Sequence, residues 1–249
     1  MPRRIRLPAL VFSLLAAGVS CATATASVQS ERVDASFVLA LGRAPSPAEA
    51  ATWTQAGERP VSALLAAHAE NLRDNPAARG PVFGRAFVDT FGREPTAAEA
   101  GPAAEHAFTY TDWMEQNLAA LAGDSDRYAA VIQRAYKFVI NRDAYDEEIA
   151  YWRERGTLPY LMLVACVEDW ARRNQPGLMV TAGDPVVSIN CEFLATARLS
   201  PAVAAEAREA AGIAASDTDG GNLLAVGAGA VRTSGRMHFA AAGQPGIAN

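Results

Sequence analysis

Three stretches of this chain repeat one another at intervals of about fifty residues, and that periodicity limits what the chain can fold into. With Arg43, Arg93 and Arg142 set in register, Val33, Phe83 and Ile132 stand ten residues earlier, Phe37, Phe87 and Tyr136 six earlier, and Leu41, Phe91 and Ile140 two earlier. Gly42, Gly92 and Asn141 immediately precede the arginines, and Glu49, Glu99 and Glu148 follow six residues later. Trp53, Ala103 and Trp152 come ten later, and Pro60, Tyr110 and Pro159 seventeen later, so the register reads without gaps.

Apolar residues at i, i+4 and i+8 share one face of a helix. Gly or Asn just beyond them is the residue type that ends a helix in the left-handed conformation. Pro45-Ser46-Pro47-Ala48-Glu49 and Pro95-Thr96-Ala97-Ala98-Glu99 then read as capping boxes that start a second helix. The third copy has Tyr145 at the cap site, so Asp146 is expected to cap instead. A third helix follows Pro60 and Pro159, with Val61, Leu64, Leu65, His68 and Leu72 as its face in the first copy. The counterparts are Met114, Leu118 and Leu121 in the second copy, and Leu163, Val164, Val167 and Ala171 in the third. The expected fold is mainly α, with three helical units of about fifty residues (30–78, 79–127 and 128–176) stacked together in a domain spanning 27–176.

The motif Phe37…Arg43-Ala-Pro45-Ser46…Glu49…Trp53 returns as Phe87…Arg93-Glu-Pro95-Thr96…Glu99 and as Tyr136…Arg142…Glu148…Trp152. It resembles a helical repeat domain of unknown function found in bacterial secreted and surface-layer-type proteins, distantly related to phycobilisome linker domains. The resemblance implies an extracytoplasmic, mainly α fold and carries no known catalytic residue. Arg and Glu in such a row could bind an acidic or sugar ligand. Alternatively, Arg pairs with a carboxylate or caps helix-end carbonyls, and the capping-box spacing already accounts for Glu. The helical phase of Trp53 and Trp152 makes them core anchors rather than stacking platforms.

The chain's ends carry other signals. Arg3, Arg4 and Arg6, the apolar run Leu7–Val19 and the small residues 20–27 have the layout of a secretory signal peptide, expected to span 1–26. Cys21 offers a lipidation site instead, although Gly18 stands where such sites usually carry Leu. The segment 177–249 reads as a small α/β tail: a strand over Val187, Ile189, Cys191 and Phe193, a helix over 202–211 closed by Gly212, and a hairpin near 223–239. Cys166 and Cys191, an even pair in an oxidising compartment, invite a disulfide, though each thiol could equally be buried on its own.

Composition excludes several classes. The 249 residues carry a formal charge of −5, and removal of a signal peptide would strip three arginines and no acid, which argues against a nucleic-acid partner. No apolar run is long enough to span a bilayer. The histidines His68, His106 and His238 form no metal signature. Asp217–Asn222 begins like a calcium loop but lacks Gly and Glu at the required places. No cofactor is implied. The expected function is a non-catalytic periplasmic or secreted helical repeat module, binding a protein partner in the envelope or extracellular matrix. The alternatives are an exported hydrolase-like enzyme using Cys166, His68 and Asp169, with its site between repeats and tail, or a lipid-anchored assembly factor hinging on Cys21.

Overall fold

Helix stop signals and start signals alternate along the chain, and the computed structural model, which describes residues 27–178 and 199–212, turns them into ten α-helices. These are α1 (Val28–Leu41), α2 (Pro47–Gln55), α3 (Val61–Asp74), α4 (Arg79–Phe91), α5 (Ala97–Glu105), α6 (Tyr110–Ala122), α7 (Ser125–Ile140), α8 (Asp146–Glu154), α9 (Tyr160–Asn174) and α10 (Pro201–Ala210). The fold is mainly helical, and no strand occurs among the described residues. Cys21, Cys191, His238, the strand near 187–193, the hairpin near 223–239 and the 217–222 loop all lie outside them.

Helices α1, α4 and α7 end in the same way. Gly42 and Gly92, both at φ 67°, and Asn141 at φ 52° adopt the left-handed conformation, each returning its N–H to the last turn of the helix. Short helices α2, α5 and α8 follow. Ser46 with Glu49, and Thr96 with Glu99, form complete capping boxes. In the third copy Tyr145 itself is the cap residue, its N–H donating to Glu148 Oε2 at 2.8 Å, while Asp146 is the first helical residue. The expectation that Asp146 caps is therefore corrected: the backbone half of the box needs only the glutamate.

The third helices of the series correct the gapless register. Their cap residues are Pro60, Thr109 and Pro159, so the link between α5 and α6 is one residue shorter than its counterparts. Tyr110 thus corresponds to Val61 and Tyr160, not to Pro60. The boundary expected at 127/128 falls inside α7, which already begins at Ser125.

Packing follows the apolar faces. α1 packs on α3, α4 on α6 and α7 on α9, while α2, α5 and α8 lie across the surface with only Ala103 fully buried among them. One continuous core joins α4 through α9, centred on Phe87, Phe91, Leu121, Ile132, Leu163 and Val167. Farther apart in the chain, α6 meets α1 and α9 meets α4. Both junctions use one device: a tyrosine at the start of the later helix lies flat against a left-handed glycine. Tyr110 covers Gly42 and Tyr160 covers Gly92, each so closely that a Cβ at the glycine would overlap the ring.

α10 takes the corresponding place against α3. Val61, at the position of Tyr110 and Tyr160, packs with Val203, Ala204 and Ala207. Glu206 Oε1 accepts from the Val61 N–H at 2.8 Å and Glu206 Oε2 from Arg32 Nε at 2.9 Å, while the Ser200 N–H donates to Glu31 Oε2 at 2.8 Å. Pro60 has no side-chain acceptor for the first turn of α3, so a carboxylate from α10 supplies one. Glu206→Ala is expected to cost about 1–2 kcal/mol, a lost cap plus a lost charge-assisted bond. Urea unfolding would measure the loss, and exchange of the Val61 amide would quicken with it.

Candidate functional site

The arginine–glutamate row is the feature with the most regular geometry. Arg43 donates from Nη1 and Nη2 to both carboxylate oxygens of Glu49 at 2.8 and 2.7 Å. Arg93 does the same to Glu99 (2.8 and 2.7 Å) and Arg142 to Glu148 (2.7 and 2.7 Å). Each Nη1 also donates to the carbonyl of the next residue: Ala44, Glu94 and Asp143. Each guanidinium lies over the aromatic ring six residues before it, at 5.4, 5.0 and 5.3 Å from the centroids of Phe37, Phe87 and Tyr136. One side chain thus clamps the end of one helix to the cap of the next. Glu49 and Glu99 are held down at about pKa 2, first by the arginine hydrogen bond and then by the capping contacts. The pairs are half-exposed, so each contributes only about 0.5–1 kcal/mol. The row's arginines and glutamates bond one another.

The third clasp shows how a substitution is absorbed. Pro45 and Pro95 need no partner for a backbone N–H, but Ala144 does. Gln133 meets it, accepting from the Ala144 N–H at 2.7 Å and donating to the Ala144 carbonyl at 3.0 Å. Arg142 is also covered by the Tyr145 ring at 4.4 Å.

Trp53 and Trp152 are half-buried. Trp152 Nε1–H donates to the Tyr136 hydroxyl at 3.2 Å. Trp53 meets Phe37 edge-on at 5.6 Å and stacks on His68 at 4.2 Å, with the planes 15° apart. His68 is 1% exposed. Its Nε2 lies 3.2 Å from Ser36 Oγ, which is also 2.8 Å from the Val33 carbonyl. Burial, with Arg43 and Arg59 adding to it and Glu49 opposing, pushes the His68 pKa down to about 4.

These residues border a cavity of about 320 Å³ between the first triplet and the start of α4. Its walls include Phe37, Arg43, Glu49, Trp53, His68, Ala78 just before α4, and Arg85 on α4. Polar and aromatic side chains line it together, as in small-ligand sites of the lower size range. Sequence reading marked Phe37, Arg43, Glu49, Trp53 and His68 but not the cavity. The signal it passed over is Ala78, a small residue fourteen before Gly92, where Arg127 stands fourteen before Asn141.

The residues proposed for hydrolysis are dispersed. His68 on α3 is held by Ser36 and Trp53, whereas Cys166 and Asp169 lie on α9, which packs against α7 and α4. No cluster of three or more His, Cys, Asp or Glu residues able to hold a metal occurs among the described residues, and no described helix is long and apolar enough to cross a membrane. No family model, curated protein or solved structure matches this chain.

Proposed function

We propose that the chain is a non-catalytic, extracytoplasmic helical repeat module that scaffolds or binds another protein in the cell envelope or its surroundings. The reading takes residues 27–176 as three stacked copies of one helix triplet, of the secreted and surface-layer-type kind that the motif resembles. The observation that carries it is the return of one clasp, with the same donors, acceptors and underlying ring, at Arg43, Arg93 and Arg142. Stacked helical units commonly bind through extended surfaces rather than catalytic clefts. An N-terminal signal peptide would place the module outside the cytosol, free after cleavage near Ala24 or Ala26 or anchored through Cys21.

Photo-crosslinking in intact cells, with probes on the exposed faces of α2, α5 and α8, is expected to recover one specific protein partner. Recovery of the chain as an uncross-linked monomer from every envelope fraction would overturn the reading. Mass spectrometry of the mature N-terminus separates the free from the lipidated form.

A further inference from the structure

The two junctions between triplets differ in one respect that assigns a ligand. At the second junction, Arg127 reaches back from the first turn of α7. Its Nη2 donates to Glu99 Oε1 at 2.9 Å, and its guanidinium lies 3.9 Å from the Phe91 ring centroid and 5.9 Å from that of Phe87. Glu99 Oε1 therefore takes two N–H groups, from Arg93 and Arg127.

Counting back from the left-handed caps that end α4 and α7, Gly92 and Asn141, the position of Arg127 falls on Ala78 at the first junction. There a methyl stands where a guanidinium would, and the space is the 320 Å³ cavity. Its walls repeat those around Arg127: Glu49 for Glu99, Phe37 for Phe87 and Leu41 for Phe91. Glu49 Oε1 takes one N–H, from Arg43, where Glu99 Oε1 takes two. The first junction adds two lining side chains, Trp53 where the second junction has Ala103, and His68, whose ring stacks on the indole at 4.2 Å.

We infer that this cavity binds a guanidinium group on an alkyl chain, seated against Glu49 and Trp53 as Arg127 is seated against Glu99 and Phe91. Two arginines on the wall do not oppose this. Arg43 is matched by Glu49, and Arg85 corresponds in register to Arg134, which donates to the Phe91 carbonyl at 3.2 Å near Arg93 and Arg127. At the second junction Glu99 already accepts from two arginines, with that third one nearby. Planar guanidinium suits the site better than ammonium, since it can stack on an aromatic wall while keeping its edge donors for Glu49. The group could come from a small free guanidine or from an arginine side chain of a bound peptide.

The inference rests on reading the triplets as copies of one unit, and the test separates the two. The probes are ethylguanidinium, butylammonium, propionate and the peptides Gly-Arg-Gly and Gly-Lys-Gly, titrated at constant ionic strength while the Trp53 indole resonance is followed. Ethylguanidinium is expected to bind with a dissociation constant below about 1 mM, at least tenfold tighter than butylammonium. Tighter binding of Gly-Arg-Gly than of ethylguanidinium points to a peptide source, and the reverse to a small molecule. Ala78→Arg is expected to abolish binding and raise Tm by several degrees. Arg127→Ala is expected to lower Tm, with ethylguanidinium restoring part of the loss. If Ala78→Arg stabilises the chain but no guanidinium binds the parent protein, the ligand assignment falls and the repeat reading stands. Binding of propionate alone overturns the assignment likewise. If Ala78→Arg lowers Tm, the two junctions are not equivalent, and both readings fail.

Discussion

Gly92→Ala is expected to destabilise the fold by about 3 kcal/mol, the sum of two costs. A residue with a Cβ at φ 67° pays roughly 1–2 kcal/mol for the left-handed conformation. The new methyl would also sit 2.5 Å from Tyr160 Cδ2 in a packed junction, an overlap worth another 1–3 kcal/mol. Two further variants divide these costs. Gly92→Asn tolerates the backbone but keeps the overlap, so it is expected to lose about 1–3 kcal/mol. Asn141→Gly, at an exposed end that no tyrosine covers, is expected to change stability by no more than about 0.5 kcal/mol. Equilibrium urea unfolding checks all three. A double cycle with Tyr160→Ala is expected to show coupling, because much of the glycine's importance lies in the ring above it.

The second large effect depends on pH. The folded state keeps His68 neutral down to about pH 4, whereas the unfolded chain protonates it near pH 6.5. Between those values the unfolded chain binds the additional proton, so stability falls as pH drops through that window and the His68 contribution levels off below it. The predicted loss is on the order of 3 kcal/mol. Glu49 and Glu99 act in a lower window. With folded pKa values near 2, their contribution is complete above about pH 4.5 and is lost only as pH falls toward 2. His68→Asn, which installs the residue found at the matching place in α6, is expected to flatten the curve between pH 6.5 and 4. The lower limb should remain. Denaturation midpoints at half-unit pH steps would show both.

Local chemistry was legible from sequence and distant chemistry was not. Gly42, Gly92 and Asn141, and the glutamates at 49, 99 and 148, act within a few residues of themselves, so their identity and spacing reveal the helix ends and caps they form. The clasp was half visible. Arg was expected to find a carboxylate or cap helix-end carbonyls and Glu to complete a cap, but one glutamate serves both, because Oε2 accepts from the guanidinium and the cap N–H together while Oε1 takes the second guanidinium N–H. The single-residue shortening before Thr109 was hidden because that cap carries no proline, so Tyr110 was set against Pro60 and Pro159. The tyrosine–glycine junctions, the insertion of Arg127 and the seat of α10 join residues far apart in the chain. No periodicity encodes such pairs. Only the exceptions to the repeat hinted at them: Asn141 where no ring descends, and Ala78 where no arginine enters.

The seat of α10 also sets an order in time. Val61 and Glu206 are 145 positions apart, and Glu31 and Ser200 are 169 apart, whereas each clasp closes over six. Closing the longer spans costs more chain entropy before any contact rewards it. Helices α1 to α9 can therefore condense while α10 is still at large. In that interval Ala35, Val38, Leu39 and Val61, which α10 covers in the finished molecule, form a bare apolar surface. The youngest intermediates are thus the most adhesive ones, and the last helix to arrive is also the one that ends their tendency to clump.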